Sequence, residues 1–196
     1  MKPAYNLLVP AALALAVIAC NNNPDSVEKA NDSNQAKMES SDTTQTNQIA
    51  QSISELDSKF MTEVANVGLT EVSLGKLASE RSSNNKVKHF GKMMVKDHTD
   101  ANHELQKIAS EKNITLPDSL SKSSKQECDD LKKKKGKAFD KAYIDMMVDG
   151  HQKVLSQFED LEKHGTDSQL KAFVTKTIPV IQDHLDSAKA IKESIK

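Results

Sequence analysis

Apolar residues recur at a helical period along most of the chain. From about residue 55 they return every three, four or seven positions in four successive segments, a spacing that predicts amphipathic helices. The stripes are Phe60, Val64, Val67, Leu74 and Ala78; Val87, Phe90, Met94, Ala101, Leu105 and Ile108; Tyr143, Met147, Val154, Phe158 and Leu161; and Leu170, Phe173, Thr177, Ile181, Ala188, Ile191 and Ile195. No sustained strand alternation occurs in the sequence, so we expect an all-α fold.

The connections between these segments predict how the helices are arranged. Residues 82–84 and 164–167 are short, polar connections with capping residues, so each flanking pair of helices should form an antiparallel hairpin. A longer crossover, Asn113 to Lys137, joins the hairpins and is expected to hold a short helix around Gln126 to Lys134. Two hairpins with one long crossover predict a ferritin-like four-helix bundle. Pro179 is expected to kink the last helix.

The first twenty residues have the pattern of a bacterial export signal. A positive start precedes an apolar run from Leu7 to Ala19, which is too short to span a bilayer. The run ends in Val17-Ile18-Ala19-Cys20, which resembles a lipobox, whose cysteine thiol carries the lipid. We therefore expect a signal peptide over 1–19 and membrane attachment through Cys20 in the bacterial cell envelope, on the periplasmic face or at the outer membrane.

Residues 20–54 are predicted to form the lipidated cysteine and a disordered tether, and residues 55–196 the helical domain. Nineteen of the thirty residues from 21 to 50 are Asn, Asp, Ser, Thr or Gln, and none is aromatic. Such a composition buries too little apolar surface to offset the entropy of ordering. The tether should hold the domain clear of the membrane.

Composition excludes several classes of protein. The 27 Lys and Arg nearly balance the 28 Asp and Glu, so no overall charge favours nucleic acid. With Cys20 assigned to lipid, Cys128 has no partner for an intramolecular disulfide, and its acidic neighbours discourage a reactive thiolate. The basic run Lys132 to Lys135 is either a solvated face or a contact for anionic headgroups. Protein partners are not indicated.

Each apolar stripe is interrupted by one ionisable residue. These are Glu71, His98, His151 and His184, one in each of the four segments. Counted from the hairpin turns, their heights differ by only about one helical turn, so the four groups can share one layer. A buried carboxylate needs a partner, and three imidazoles with one carboxylate suit Zn, Cu, Fe or Ni. The alternative is a hydrogen-bonded polar layer without metal.

The residues around these four positions narrow the kind of site that the sequence predicts. Asp97 and Asp183, directly before two of the histidines, are either supports for a histidine on a neighbouring helix or solvated acids. A carboxylate-bridged di-iron oxidase is disfavoured, because the position three before each histidine is apolar: Val95, Val148 and Ile181. His89, His103 and His164 lie off the stripes and are predicted to be at the surface.

Four segments also carry a resemblance to a known family. They are Gly68-Leu69-Thr70-Glu71-Val72-Ser73-Leu74-Gly75-Lys76-Leu77-Ala78, Met94-Val95-Lys96-Asp97-His98-Thr99-Asp100-Ala101-Asn102, Ala138-Phe139-Asp140-Lys141-Ala142-Tyr143 and Thr177-Ile178-Pro179-Val180-Ile181-Gln182-Asp183-His184-Leu185. Within residues 57–192 the chain resembles bacterial envelope proteins with Domain of Unknown Function 4142. The resemblance implies a ferritin-like, exported or lipid-anchored bundle with recurrent polar positions at Glu71, His98, His151 and His184. This chain has Asp149-Gly150-His151 where the family tends to Asp-His.

The family has no settled activity, so the residues must indicate the function. We expect a non-enzymatic, membrane-tethered protein that binds one transition-metal ion in the bundle, for metal handling or envelope stress. The alternative is a structural or interaction module of the envelope with a metal-free polar layer. A mononuclear metalloenzyme is a third hypothesis.

Overall fold

The computed structural model describes residues 24–42 and 53–195, and these ranges contain six helices and no strand. The helices are α1 (Ser26–Asp42), α2 (Glu55–Arg81), α3 (Asn85–Glu111), α4 (Lys122–Lys132), α5 (Gly136–His164) and α6 (Ser168–Ser194). The predicted all-α class is therefore confirmed for this part of the chain. None of these helices has a stretch long and apolar enough to cross a bilayer. Cys20 and the predicted signal peptide lie outside the described residues.

Helices α2 and α3 form the first predicted antiparallel hairpin. Ser54 caps α2 by accepting a hydrogen bond from the Asp57 amide, and Asn84 caps α3 through the Lys86 amide. Two glycines, one on each helix, face each other between α2 and α3. A Cβ on Gly75 would lie 2.8 Å from the Gly91 carbonyl oxygen, and a Cβ on Gly91 would lie 2.7 Å from that of Gly75. This contact requires residues without side chains.

Helices α5 and α6 form the second predicted hairpin. Asp167 caps α6 through the Leu170 amide, as predicted. Gly165 ends α5 with a φ of −62°, which is not a left-handed cap. A Cβ there would lie 2.6 Å from the Leu161 carbonyl oxygen, so crowding excludes a side chain. Helix α6 continues through Pro179 without ending.

The crossover contains the predicted short helix, α4, with different ends. It begins at Lys122 because the Ser121 hydroxyl accepts a hydrogen bond from the Ser124 amide, four residues earlier than expected. It ends at Lys132, so Lys133 to Lys135 follow the helix and are exposed. Asp129 and Asp130 on α4 form ion pairs with Lys132 and Lys133.

The prediction of an unfolded tether is wrong for residues 26–42, which form helix α1. The Asn34 side chain accepts a hydrogen bond from the Thr115 amide and donates one to the Thr115 carbonyl. Ala30 is 2 % exposed against the domain. Amide pairing with a distant backbone segment stabilises this polar helix, and neither contact has a signal in local composition. Residues 20–23 and 43–52 of the predicted tether lie outside the described residues.

The apolar core is divided into two clusters along the helices. The first contains Phe60, Met61, Leu105, Ile108, Val154, Phe158, Leu170, Phe173 and Ile181, among others. The second contains Leu74, Phe90, Met94, Phe139, Tyr143, Ile144, Met147 and Leu185, among others. On every long helix, the predicted ionisable residue falls between the members of the two clusters. A polar layer therefore crosses the middle of the core.

Candidate metal centre

The structure brings the four predicted side chains together from four different helices. The Nε2 atom of His98 on α3 lies 2.6 Å from Oε2 of Glu71 on α2. The other carboxylate oxygen, Oε1, lies 3.5 Å from Nδ1 of His151 on α5. The ring centroid of His184 on α6 is 5.3 Å from that of His98 and 5.4 Å from that of His151. The predicted convergence at one level is therefore present.

Two of the histidines are oriented by hydrogen bonds outside the cluster. His151 Nδ1 is 2.9 Å from the Met147 carbonyl oxygen, one turn earlier on α5. Because that nitrogen donates to a carbonyl, the Nε2 lone pair of His151 is available. His184 Nε2 is 3.1 Å from Oδ2 of Asp97 on α3. Because Nε2 donates to this carboxylate, the Nδ1 lone pair of His184 is available. Metal-binding histidines in proteins are held in this way.

These hydrogen bonds show which of the two acids, Asp97 or Asp183, supports a histidine on a neighbouring helix. Asp97 supports a histidine on another helix, whereas Asp183 is exposed to solvent. The glycine before His151 does not leave that ring unsupported, because the backbone carbonyl of Met147 takes the place of an acid. The predicted surface positions of His89, His103 and His164 are confirmed, since all three are exposed.

One buried atom in each of the four side chains has no hydrogen-bond partner within the protein. These atoms are Glu71 Oε2, His98 Nε2, His151 Nε2 and His184 Nδ1. The short contact between His98 and Glu71 is an ion pair by distance, but it lacks hydrogen-bond alignment. Buried polar atoms are nearly always paired in native proteins. Glu71 Oε2 and His98 Nε2 have each other at 2.6 Å, whereas His151 Nε2 and His184 Nδ1 have no polar partner among the described residues, so these two lone pairs are available to a bound group.

The electrostatics of the cluster keep the carboxylate ionised. Burial alone would raise the pKa of Glu71, but its interactions with the imidazoles, above all that of His98, outweigh this and lower the pKa to about 2. Burial lowers the pKa of His98, yet the Glu71 carboxylate reverses the effect and leaves the pKa raised. For His151 and His184 burial dominates, and each pKa is lowered. Two imidazoles are therefore neutral, the form that binds a metal.

The donor set and its spacing fit a single metal ion. One ligand nitrogen from each of the three histidines lies within 4.8 Å of the other two. Tetrahedral Zn²⁺, with Zn–N bonds of 2.0–2.1 Å, requires nitrogens roughly 3.3 Å apart. The three rings would have to move closer together to reach this spacing. Glu71 does not belong to the group of side chains whose ligand atoms are this close, but its carboxylate contacts the rings of His98 and His151.

Sequence reasoning missed one polar member of this region. Tyr143 was assigned to the apolar stripe of α5, and its ring is indeed fully buried, edge-to-face with Phe90. Its hydroxyl, however, has no hydrogen-bond partner. Burial and the nearby Glu71 charge raise the pKa of this hydroxyl. The tyrosine spacing gives no signal, since tyrosine and phenylalanine fill the same stripe positions.

The remaining cysteine in the described residues lies outside the cluster. Cys128 on α4 is buried, and burial raises the pKa of its thiol. The prediction that this thiol is not activated is consistent with that environment.

The fold and the polar layer define a class, an all-helical domain with a histidine-rich layer between two apolar cores. Residues 42–191 match the model of the family called Domain of unknown function (DUF4142). The match covers more than half of the chain, which therefore belongs to this family, as the sequence resemblance predicted.

The crystal structure of a DUF305 fragment from Deinococcus radiodurans is similar, with a TM-score of 0.65 over 72 % of this chain and 98 % of that chain. The sequences are 9 % identical, so this likeness shows the fold alone. No curated protein matches the chain.

Proposed function

We propose that this protein binds one transition-metal ion, Zn, Cu, Fe or Ni, between its four long helices. His98, His151 and His184 would supply the nitrogens, and Glu71 a carboxylate oxygen. The observation that carries the proposal is the group of three histidine nitrogens, from three helices, that lie within 4.8 Å of one another, with Glu71 in contact with two of the rings. Imidazole-rich sites with one carboxylate suit borderline divalent ions, whereas Mg²⁺ and Ca²⁺ prefer all-oxygen sites.

The arrangement of the helices supports the same proposal. Two antiparallel hairpins joined by the long crossover with α4 correspond to a ferritin-like bundle, a class that builds metal sites from side chains on facing helices. Val95, Val148 and Ile181 stand where a di-iron centre would need carboxylates. The proposal is therefore a mononuclear site for metal handling or envelope stress, without a catalytic role.

Metal analysis of the full chain, purified in detergent without an affinity tag, tests the proposal. We expect one ion per chain in the wild type and none in the His98→Ala/His184→Ala variant. His89→Ala/His103→Ala is the matched control, since both residues lie on α3 and both are exposed on the surface. His98→Gln/His184→Gln keeps side-chain volume, and circular dichroism confirms folding. Stoichiometric metal that survives in both His98→Ala/His184→Ala and His98→Gln/His184→Gln would refute the site.

The membrane location is a second part of the proposal. It is supported by the apolar run that ends in Val17-Ile18-Ala19-Cys20. A lipid at this cysteine would tether the helical domain to the envelope, since several acyl chains give stable attachment. Radiolabelled palmitate should be incorporated into the wild type and not into Cys20→Ser, with Cys128→Ser as the control. Labelling of Cys20→Ser would contradict the assignment.

One observation favours the metal-free alternative, a structural or interaction module. Glu71 and His98 already form a compact ion pair that neutralises both buried charges. Such a layer can fix helix register without a metal. If the wild type contains no metal after purification and binds none of the four ions at micromolar concentration, this alternative replaces the metal site.

A further inference from the structure

A groove open to solvent runs between α2 and α5, with α1 and α4 contributing to its walls. Its volume is about 730 Å³. Thr70, Ser124 and Asn66 form a hydrogen-bonded polar floor along it, with Thr70 Oγ1 donating to Ser124 Oγ at 2.8 Å. Glu71 lines the same groove. The groove therefore joins solvent to the buried layer.

The charged residues that line this groove are mainly acidic. Glu63 on α2, Glu127 on α4 and Asp149 on α5 contribute three carboxylates, against the single cation of Lys153. A cleft lined by one sign of charge raises the local concentration of the opposite ion and its rate of association. The groove is electrostatically suited to a cation.

At its inner end the groove meets an unobstructed carboxylate. Gly150 has no side chain, and a Cβ built there would lie 3.8 Å from Glu71 Oε1. The other oxygen of Glu71 is unpaired by hydrogen bonds and lies 2.6 Å from His98 Nε2. Glu71 is only 4 % exposed. Oε1 of this carboxylate therefore lies beside Gly150 at the groove and also 3.5 Å from His151 Nδ1, while Oε2 faces His98.

A second cavity reaches the histidines from the opposite side but has a different chemistry. It has a volume of about 40 Å³ and is bounded by His98, His184 and a largely apolar wall that includes Phe158, Phe173 and Ile181. Asp97 is the acid in the lining of this cavity, and its carboxylate already accepts hydrogen bonds from His184 and Lys96. A hydrated divalent ion would lose its water against this wall without compensation. The cavity is therefore a poor route for a cation.

We propose that the α2–α5 groove is the route by which a divalent cation reaches the layer, and that Glu71 is the first buried ligand it meets. The proposal rests on the metal-binding function and deepens it. The outer carboxylates attract the hydrated ion, and Glu71 replaces part of its water shell. The imidazoles of His98, His151 and His184 then complete the coordination. Gly150 keeps the passage to Glu71 open.

Stopped-flow mixing of the full chain with Co²⁺, followed by the visible absorption of the bound ion, tests the route. In Gly150→Leu the side chain closes the inner end of the groove. We expect both the association rate and the chelator-driven release rate to fall about tenfold or more, with the Kd within about twofold of wild type, because a barrier changes both rates equally. Val180→Phe, at the mouth of the apolar cavity, is the matched control.

The contribution of charge is tested separately. Glu63→Gln/Glu127→Gln/Asp149→Asn should lower the association rate by about tenfold and flatten its dependence on salt, as expected for lost electrostatic steering. Asp100→Asn/Glu104→Gln/Asp186→Asn removes three acids on α3 and α6 and should leave the rate within about twofold. Unchanged rates in both groove variants, or slow binding in Val180→Phe instead, would overturn the route.

An experiment without a bound metal separates this proposal from the metal site. A cationic and an anionic nitroxide are added in turn to the labelled full chain, and broadening of amide signals is measured by NMR. The cationic probe should broaden Thr70, Ser124 and Gly150 severalfold more than the anionic probe does, with no such difference at Thr177. Equal broadening by both probes would refute the groove as a cation route, even if Co²⁺ binds. If Co²⁺ does not bind but the difference persists, only the metal site fails.

Discussion

Two buried carboxylates on the same helix have opposite surroundings. Asp57, in the first turn of α2, is 0 % exposed and accepts hydrogen bonds from the amides of Thr166 and Asp167 and from the Thr166 hydroxyl. Glu71, farther along α2, contacts imidazoles and has an oxygen with no hydrogen bond. Asp57 is thus satisfied by a loop of its own fold, and Glu71 is not. The difference separates an acid that holds the structure from one available to a ligand.

The glycines beside the two acids show the same contrast. A Cβ on Gly165 would lie 3.1 Å from Asp57 Oδ1, closer than ordinary packing allows. A Cβ on Gly150 would lie 3.8 Å from Glu71 Oε1, an ordinary contact distance. Asp57 is enclosed by the α5–α6 loop, whereas space remains above Glu71. A ligand can therefore reach Glu71 but not Asp57.

The largest expected effect is on folding stability in Asp57→Ala. This change leaves three donors in the α5–α6 loop without their acceptor, the buried Asp167 amide and two donors of the more exposed Thr166, and an unpaired buried donor costs about 1–3 kcal/mol. We expect the free energy of unfolding to fall by about 4 kcal/mol, measured by urea denaturation. Asp57→Asn, which keeps one carbonyl acceptor, should lose less. A loss below about 1 kcal/mol in Asp57→Ala would show that the loop does not depend on this acid.

A smaller effect is expected at acidic pH from Glu71. Because its folded pKa is lowered from 4.5 to about 2, the ionised carboxylate contributes stability above pH 4.5 that is lost as pH falls towards 2. The shift corresponds to up to roughly 3 kcal/mol. Between these pH values, the unfolding free energy of the metal-free wild type should fall more steeply than that of Glu71→Gln.

Urea denaturation in the presence of a chelator, repeated at several pH values, measures this slope. Glu63→Gln is the control, because this acid lies in the open groove and has no imidazole partner among its described contacts. Its slope should equal that of the wild type. Identical slopes for wild type and Glu71→Gln would mean that the carboxylate gains nothing from the imidazoles.

The four ionisable residues of the layer could be predicted because a polar residue in an apolar stripe is visible in sequence. The hydrogen-bond partner that orients each of these side chains could not be predicted in this way. Asp97 and Asp183 occupy the same position before a histidine, yet only Asp97 faces another helix. Which of the two points inward depends on helix rotation within the packed domain, and a single-helix pattern does not contain this rotation.

Asp57 and α1 were missed for a related reason. Asp57 reads as an ordinary acid in the first turn of a helix, a favourable place for negative charge. Its partners are about 110 residues away in the chain. Likewise, Asn34 in α1 pairs with the backbone of Thr115. Local composition predicts the four long helices well because their stripes are local, but it does not report polar contacts between distant segments.

The third prediction concerns metal affinity and uses the two acids that precede histidines. Asp97→Ala removes the acceptor that orients His184, and such outer partners are worth 10–100-fold in metal affinity, or about 1.4–2.7 kcal/mol. Asp183→Ala, at the equivalent and exposed position, should change affinity less than twofold. Calorimetry with Zn²⁺ measures both. Equal losses in the two variants would show that His184 needs no support from α3.

The smallest effect is expected at the glycine beside Glu71. Gly150 lies within α5 and its Cβ position is free of close contacts, so Gly150→Ala should stabilise the domain by about 0.5–1 kcal/mol through helix propensity. Gly165→Ala should instead destabilise it, because the new Cβ would crowd Leu161 and Asp57. If Gly150→Ala is also destabilising, the space above Glu71 is not free for a methyl group, and the contrast between the two acids disappears. If Gly150→Ala is stabilising, the native glycine makes helix α5 less stable than alanine would. The position of Gly150 at the inner end of the groove then explains why a glycine is present.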